Sequence, residues 1–456
     1  MWWSPMKRQS PLLLRLLILL ALSACGIATA TPSPMPIPAA TQASRLPDPE
    51  EVRALLVQLV DVKRRAPGIV VGMIAADPQE RWVVGYGRLS ATDERVPDGD
   101  TVFELASVGK VFTRILLAQA VVNGEVQLDD PISMYLPEGV TAPEYEGRPI
   151  TLLDLATHTS GLPLRSIDPG HSSYTLDQMY DFLSGYRLTR APGSSYQYSG
   201  FGMGLLGNLL VRRAGKEDYE ALLEDRITGP LGMDSTHIGL TPEMRSRLAP
   251  PHADYSVPAS SLDAPTFAGA GAGLRSTAND MLKFLAANIG LAETELQPAL
   301  QLASTQFGKG IHSHNGRNPG YYAYLAWDPQ RQTGVVVLAN APVAIDDVGL
   351  QLVRGFPLTP VNVDPQILAA YAGRYQTSDG LIVTIRVDGA RIVLQIPRAP
   401  GYEPFAGEHE LQAITEDRFY LRGADFEMAF FRDDRGEVRR LVATVAGETY
   451  DATRIP

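Results

Sequence analysis

Ser107 and Lys110 stand three residues apart at the head of an apolar run, within Thr101 to Ala118, TVFELASVGKVFTRILLA. If the run from about Val108 is a helix, positions i and i+3 share a face, so the lysine amine can reach the serine hydroxyl. A hydroxyl is a weak nucleophile until a base takes its proton. A lysine serves as that base only when burial or a neighbouring cation lowers its pKa. The serine would sit at the helix start, where unpaired backbone N–H groups and the positive dipole end favour a developing oxyanion. One helical turn meets these needs, and the chemistry implied is acyl transfer. The spacing alone is a weak signal, since Ser4-Pro5-Met6-Lys7 repeats it in a segment expected to be removed.

The elements that must position this pair follow from local patterns. Asp48-Pro49 reads as an N-cap with proline at the first helical position, opening a helix through about Lys63. Gly68 to Gly87 holds two β-rich runs separated by Asp77-Pro78-Gln79-Glu80, a hairpin. The serine helix runs on to a stop at Asn123-Gly124. Gly124 to Glu138 reads as a loop, and Ile150 to Pro163 as a short helix closed by Ser160-Gly161. A helix over Asp346 to Gly355 precedes a proline-punctuated linker, Pro357 to Pro365. Beyond it, alternating runs turn at Asp388-Gly389 and Asp434-Arg435-Gly436 with no helix between them, the pattern of a small β-barrel or curled sheet.

At 456 residues, 45% hydrophobic and 20% charged, the chain suits one large domain and a smaller one. The net charge of −11 argues against nucleic acid or an anionic lipid surface as main partner, because either wants a basic patch. Lys7, Arg8 and Arg15 flank a short apolar core, Leu16 to Leu22, ahead of Ser23-Ala24-Cys25-Gly26, which describes a secretory signal rather than a spanning helix. The ending Leu22-Ser23-Ala24-Cys25 resembles the lipobox of bacterial lipoproteins. That resemblance implies lipid attachment at Cys25, the one cysteine, and anchoring to the cell membrane outside the cytoplasm. Residues 1–24 are then a signal peptide and 25–48 a Pro-rich tether.

Ser107-x-x-Lys110, LDDPISMYLPE, ITLLDLATHTSGLP, PGSSYQYSGFGMGLLG (Pro192 to Gly207), PLGMDST, GAGLRSTANDMLKFL and HNGRNPG (from His314) occur in an order that resembles the serine beta-lactamase and penicillin-binding-protein superfamily, in its class C and esterase-like branch. The resemblance covers about residues 50 to 345. It implies an α/β (α+β) fold, a beta-lactamase/transpeptidase-like antiparallel sheet flanked by helices with an all-helical subdomain, over residues 49–356. YAGRYQ (Tyr371 to Gln376) resembles a lipocalin-like tail domain, making residues 365–456 a small C-terminal all-β domain.

By the same resemblance Ser107 is the nucleophile, Lys110 keeps it polarised, and Tyr198 takes its proton and later protonates the leaving group. Gly200 stands where the family often has asparagine, the amide that usually binds the acyl-amide of a β-lactam or peptide, so an ester or smaller amide fits better. His314-Asn315-Gly316 fills the slot of the family's K-T-G. His314 is expected to hydrogen-bond Tyr198 or substrate, Gly316 to let substrate backbone approach, and the amides of Ser107 and Arg317 to form the oxyanion hole. His158 is expected to hold a loop near the site.

His312 and His314 have a metal-ligand spacing, but no third ligand is spaced to join them, so no metal or cofactor is expected. Gly269, Gly271 and Gly273 are not followed by a P-loop lysine, and read as a close backbone approach leading into a helix capped at Ser276 or Thr277. There is no G-x-S-x-G elbow. The expected activity is an exported serine hydrolase of small-molecule or peptide esters and amides. The alternative is a penicillin-binding receptor or pseudo-enzyme that is acylated by β-lactams or cell-wall peptides without efficient turnover.

Overall fold

The computed structural model describes residues 46–456, apart from 77–78, 166–174, 258, 260–263, 308–310, 360 and 400–404. The signal segment, Cys25 and most of the tether lie outside the described residues. Among the described residues, no helix is long and apolar enough to cross a membrane.

Helix α1 (Pro49–Val57) begins as its sequence dictates: Asp48 caps it by accepting from the Glu50 amide at 2.8 Å, with proline at the first position. Strands β1 (Gly68–Ala75) and β2 (Glu80–Gly87) pair antiparallel from Gly68↔Gly87 to Ala75↔Glu80, and the turn expected between them lies partly outside the described residues. Helix α2 (Gly109–Val122) follows a 3₁₀ turn, Ala106–Val108, and ends at Asn123-Gly124, where Gly124 takes φ +70°. Next come α3 (Gly200–Ala214), α4 (Ala278–Asn288) and α5 (Gln297–Phe307). Strands β3 (His312–Arg317), β4 (Tyr322–Asp328) and β5 (Thr333–Ala339) and helix α6 (Asp346–Arg354) complete the first body.

The five strands form one sheet in the order β2-β1-β5-β4-β3, all antiparallel. Every residue of β1, β4 and β5 is buried because both faces are covered. Strand periodicity sorts them: Val70, Ile74, Leu325, Trp327, Val336 and Leu338 join the larger core with α2 and α4, while Ile69, Val71, Met73, Tyr324, Val335 and Val337 join a second core under α1 and α6. On the larger core's side, α2 is buried almost all round, as a central helix must be.

Two local readings differ from the structure. The helix in the 150–163 stretch ends at Ala156, with Thr151 and Asp154 forming a reciprocal capping box, because His158 adopts φ +59° and turns the chain before Ser160. The 124–138 segment holds a 3₁₀ turn, Ile132–Met134.

Two short strands, Val102–Glu104 and Arg275–Thr277, bring the serine turn against the glycine-rich segment. Their pairing sets Glu104 opposite Arg275, both buried, joined at 2.9 Å. Asn318 donates to the other carboxylate oxygen and Arg275 donates to the carbonyls of Ile238 and Gly273, so each charge is multiply satisfied. Removing one member strands the other. Glu104→Ala is expected to lose roughly 3–5 kcal/mol of unfolding free energy, read from urea melts, and a loss under about 1 kcal/mol would contradict this account.

Residues 373–455 form eight strands that close into a barrel. Its core stacks Tyr371 on Phe430 at 4.2 Å, with Tyr375 and Phe419 beside them. The barrel docks on α6: Arg422 pairs with Asp347 at 2.9 Å, Arg354 with Asp425, and Tyr420 stacks on Phe356 at 4.4 Å.

Candidate active site

Ser107 sits in the 3₁₀ turn that leads into α2, so the expected position at a helix start holds. The residue before it, Ala106, has φ +46°, a left-handed conformation that L-residues rarely take and that tends to be kept at functional sites. One turn on, the Lys110 amine donates to Ser107 Oγ at 2.8 Å and to the Ala270 carbonyl at 2.6 Å. Lys110 is 2% exposed. Burial, assisted by the positive charge of Arg114, lowers its pKa to about 7, so near neutral pH a large fraction is free amine.

The glycine-rich segment is what allows this contact. A Cβ on Gly271, itself at φ +86°, would lie 1.9 Å from the Ala106 carbonyl oxygen, and one on Gly109 would lie 2.5 Å from Gly271 Cα. The expected close backbone approach is therefore observed, and it delivers the Ala270 carbonyl to the lysine. Thr277 caps α4.

Tyr198, just ahead of α3, lies beside Ser107, and its ring is 5.1 Å from the Lys110 amine. Burial raises its pKa, with the Ser107 hydroxyl opposing, so the group is a phenol near neutral pH. With these shifts the Lys110 amine can accept a proton near neutral pH and the Tyr198 phenol can donate one. His158 packs against Tyr198 with ring centroids 4.5 Å apart and planes tilted by 42°, and its Nδ1 accepts from the Ser199 amide at 3.2 Å. Burial, then Arg114 and Lys110, lower its pKa to about 3, so it is a neutral brace for the tyrosine loop. Tyr196, by contrast, is 68% exposed.

Gly200 is the first residue of α3, and a Cβ there would lie 2.9 Å from the Leu164 carbonyl oxygen, which accepts from the amides of both Gly200 and Phe201. An asparagine in this slot would push that carbonyl away.

Strand β3 is the sheet edge beside the serine. A Cβ on Gly316 would lie 2.0 Å from the Leu105 carbonyl oxygen and 3.0 Å from the Ser107 nitrogen, so the strand passes directly over the serine turn. His314 is close enough for the charges of Lys110 and Arg114 to act on it, and burial first, then those charges, lower its pKa to about 3. Its Nδ1 pairs with the Asn315 carbonyl at 2.7 Å, not with Tyr198. The neighbouring carbonyl on its own strand occupies that nitrogen. His312 instead bonds Ser304 at 2.8 Å and stacks on Trp327, and among the described residues no three metal-ligating side chains cluster.

One group near the site went unread in the sequence. Arg114 lies on the stripe of α2 that carries Ser107 and Lys110, at i+7 and i+4, and that spacing was the available signal.

A buried amine on a serine hydroxyl, a phenol beside both, and a sheet edge against the serine turn can transfer an acyl group. Fold and site together define a serine hydrolase built on a sheet with a helical body. The beta-lactamase family model matches residues 52–354, and the chain belongs to that family. It is 30% identical over 314 residues to the D-alanyl-D-alanine-carboxypeptidase/endopeptidase AmpH of Escherichia coli K12, covering 60% of this chain and 80% of that one. A beta-lactamase/D-alanine carboxypeptidase from Yersinia pestis is similar in structure, with TM-score 0.54 and 27% identity over 63% of this chain and 93% of that one. A class C beta lactamase from Rhodobacter sphaeroides gives TM-score 0.56 and 25% identity over 65% and 95%.

Proposed function

We propose that this protein is an exported serine hydrolase that cleaves ester or amide bonds through an acyl-enzyme on Ser107. The observation that carries the reading is the 2.8 Å contact between Ser107 Oγ and a lysine amine whose pKa burial has brought to about 7. Ser107 Oγ attacks the substrate carbonyl while its proton passes to the neutral Lys110 amine. The oxyanion is held by the amides of Ser107 and Arg317. As the tetrahedral intermediate collapses, the Tyr198 phenol protonates the leaving group and is reprotonated from Lys110. Water then attacks the acyl carbonyl by the same route in reverse. Esters and small amides fit better than β-lactams, because no side chain at Gly200 can bind an acyl-amide.

Export and anchoring through Cys25 rest on the N-terminal sequence: a charged start, a short apolar core and the Leu22 to Cys25 ending. The relatives' D-alanine carboxypeptidase activity makes D-alanine-terminated peptides the first amide substrates to try. The deciding experiment sets p-nitrophenyl esters, D-alanyl-D-alanine peptides and a chromogenic cephalosporin before the full chain, with intact mass taken during turnover. A transient acyl adduct on Ser107 with ester release is expected. An adduct that persists for hours would instead mark a receptor that stalls, and no adduct would remove the reading.

The lysine sets a pH dependence. Below its pKa of about 7 it is an ammonium that cannot accept the serine proton, and above it the free amine can, so kcat/KM on an ester should rise with pH through about 7. His158 and His314 are neutral across this range and do not shape that limb. Lys110→Arg, permanently charged, should lose roughly 10²–10⁴-fold. A profile flat from about pH 5.5 to 8.5 would remove Lys110 from the base role.

A further inference from the structure

Arg114 is a half-buried cation for which no carboxylate partner is found among the described residues. Its Nε donates to the Ala156 carbonyl at 2.9 Å and its guanidinium lies 6.0 Å from the Phe307 ring centroid, which leaves the two terminal nitrogens without a described hydrogen bond. Lys110, one turn away, is likewise without an anion, since both of its contacts are to neutral oxygens. A guanidinium held in place with no described counter-charge favours an anion supplied from outside. A place for one exists. Between α2, α5 and β3 lies a cavity of about 140 Å³ lined by Arg114 and Ile115, by Ser304 and Phe307, and by His312 and Trp327. That is close to the roughly 150 Å³ of an engineered apolar cavity that accepts benzene.

We propose that this cavity is a subsite for a substrate carboxylate, bound by the Arg114 guanidinium, so that the preferred acyl group is a short chain or ring ending in a carboxylate. The proposal rests on acylation of Ser107. Seven residues of helix separate Ser107 from Arg114, about 10 Å along the axis, and the arginine side chain itself spans part of that distance. A chain of three methylenes between the reacting carbonyl and the carboxylate bridges the remainder. The methylenes lie against Ile115 and Phe307, and the neutral Ser304–His312 pair adds polar contacts at the wall. Two terminal N–H groups facing one carboxylate give the bidentate geometry arginine favours.

The test uses two esters of equal carbon-chain length, p-nitrophenyl pentanoate and mono-p-nitrophenyl glutarate, on the full chain. Wild type should favour the glutarate by roughly tenfold or more in kcat/KM, and Arg114→Met should lower that ratio by roughly tenfold or more, whatever happens to either absolute rate. Arg114→Gln, polar but uncharged, should do the same and covers the case in which methionine does not fold. A wild type without preference, or a ratio unchanged in both variants, overturns the subsite. Turnover is not needed for the second arm, calorimetric titration of glutarate into Ser107→Ala with and without Arg114→Gln. Binding should weaken by roughly tenfold or more when the charge is lost, and equal binding or none overturns the proposal. If neither ester reacts, the hydrolase reading fails and this titration alone decides the subsite.

Discussion

Ser107→Ala should lower ester turnover by roughly 10⁴–10⁶-fold, the scale on which serine hydrolases lose activity when the attacking oxygen is removed. The size follows from the proposed mechanism, in which Lys110 and Tyr198 serve the attack of that oxygen, so without it they can activate only a passing water. Stability should change little. Ser107 is partly exposed, and its loss leaves Lys110 still bonded to the Ala270 carbonyl. The measurement is a p-nitrophenyl ester rate beside intact mass and a melting curve. A folded variant that keeps turnover within about tenfold of wild type would show that another group attacks the carbonyl.

Gly316→Ala comes next in size. Its new Cβ would stand 2.0 Å from the Leu105 carbonyl oxygen, a backbone atom that no rotamer change can move aside. Either β3 shifts away from the serine turn or the turn shifts away from β3, and each separates the amides of Ser107 and Arg317. One such donor is worth roughly 10²–10³-fold in kcat, and displacement near 1 Å costs on the order of 10²-fold. Turnover should therefore fall by at least about 10²-fold while binding of a ground-state analogue falls much less. An alanine variant with full kcat would place the oxyanion donors elsewhere.

The sequence exposed what depends on local spacing. Ser107 with Lys110, the Asp48-Pro49 helix start, the 68–87 hairpin, the Asn123-Gly124 stop and the Thr277 cap are each written within a few residues, and the structure shows each of them. The barrel's turns at Gly389 and Gly436 were similarly legible, both glycines taking positive φ. What stayed hidden depends on segments distant in the chain. The Ala270 carbonyl reaches Lys110 across 160 residues because two glycines let backbones meet, a fact of packing rather than pattern. The His314 partner and the lowered pKa of Lys110 required knowing what each ring and amine is buried against. Arg114 was masked by its setting: in an apolar helical run a single arginine reads as a solvated edge, and only the tertiary fold shows it turned toward the reacting groups.

The tail barrel and the sheet edge share a fulcrum. Asp346 holds Tyr322 and, at 2.6 Å, the side chain of Asn315, the residue between His314 and Gly316. Asp347, next along α6, holds Arg422 of the barrel. A chain of contacts thus runs from the barrel through two adjacent carboxylates to the strand lying over the nucleophile. The appended domain and the strand over the nucleophile are thereby two side-chain contacts apart, joined through neighbouring residues of one helix.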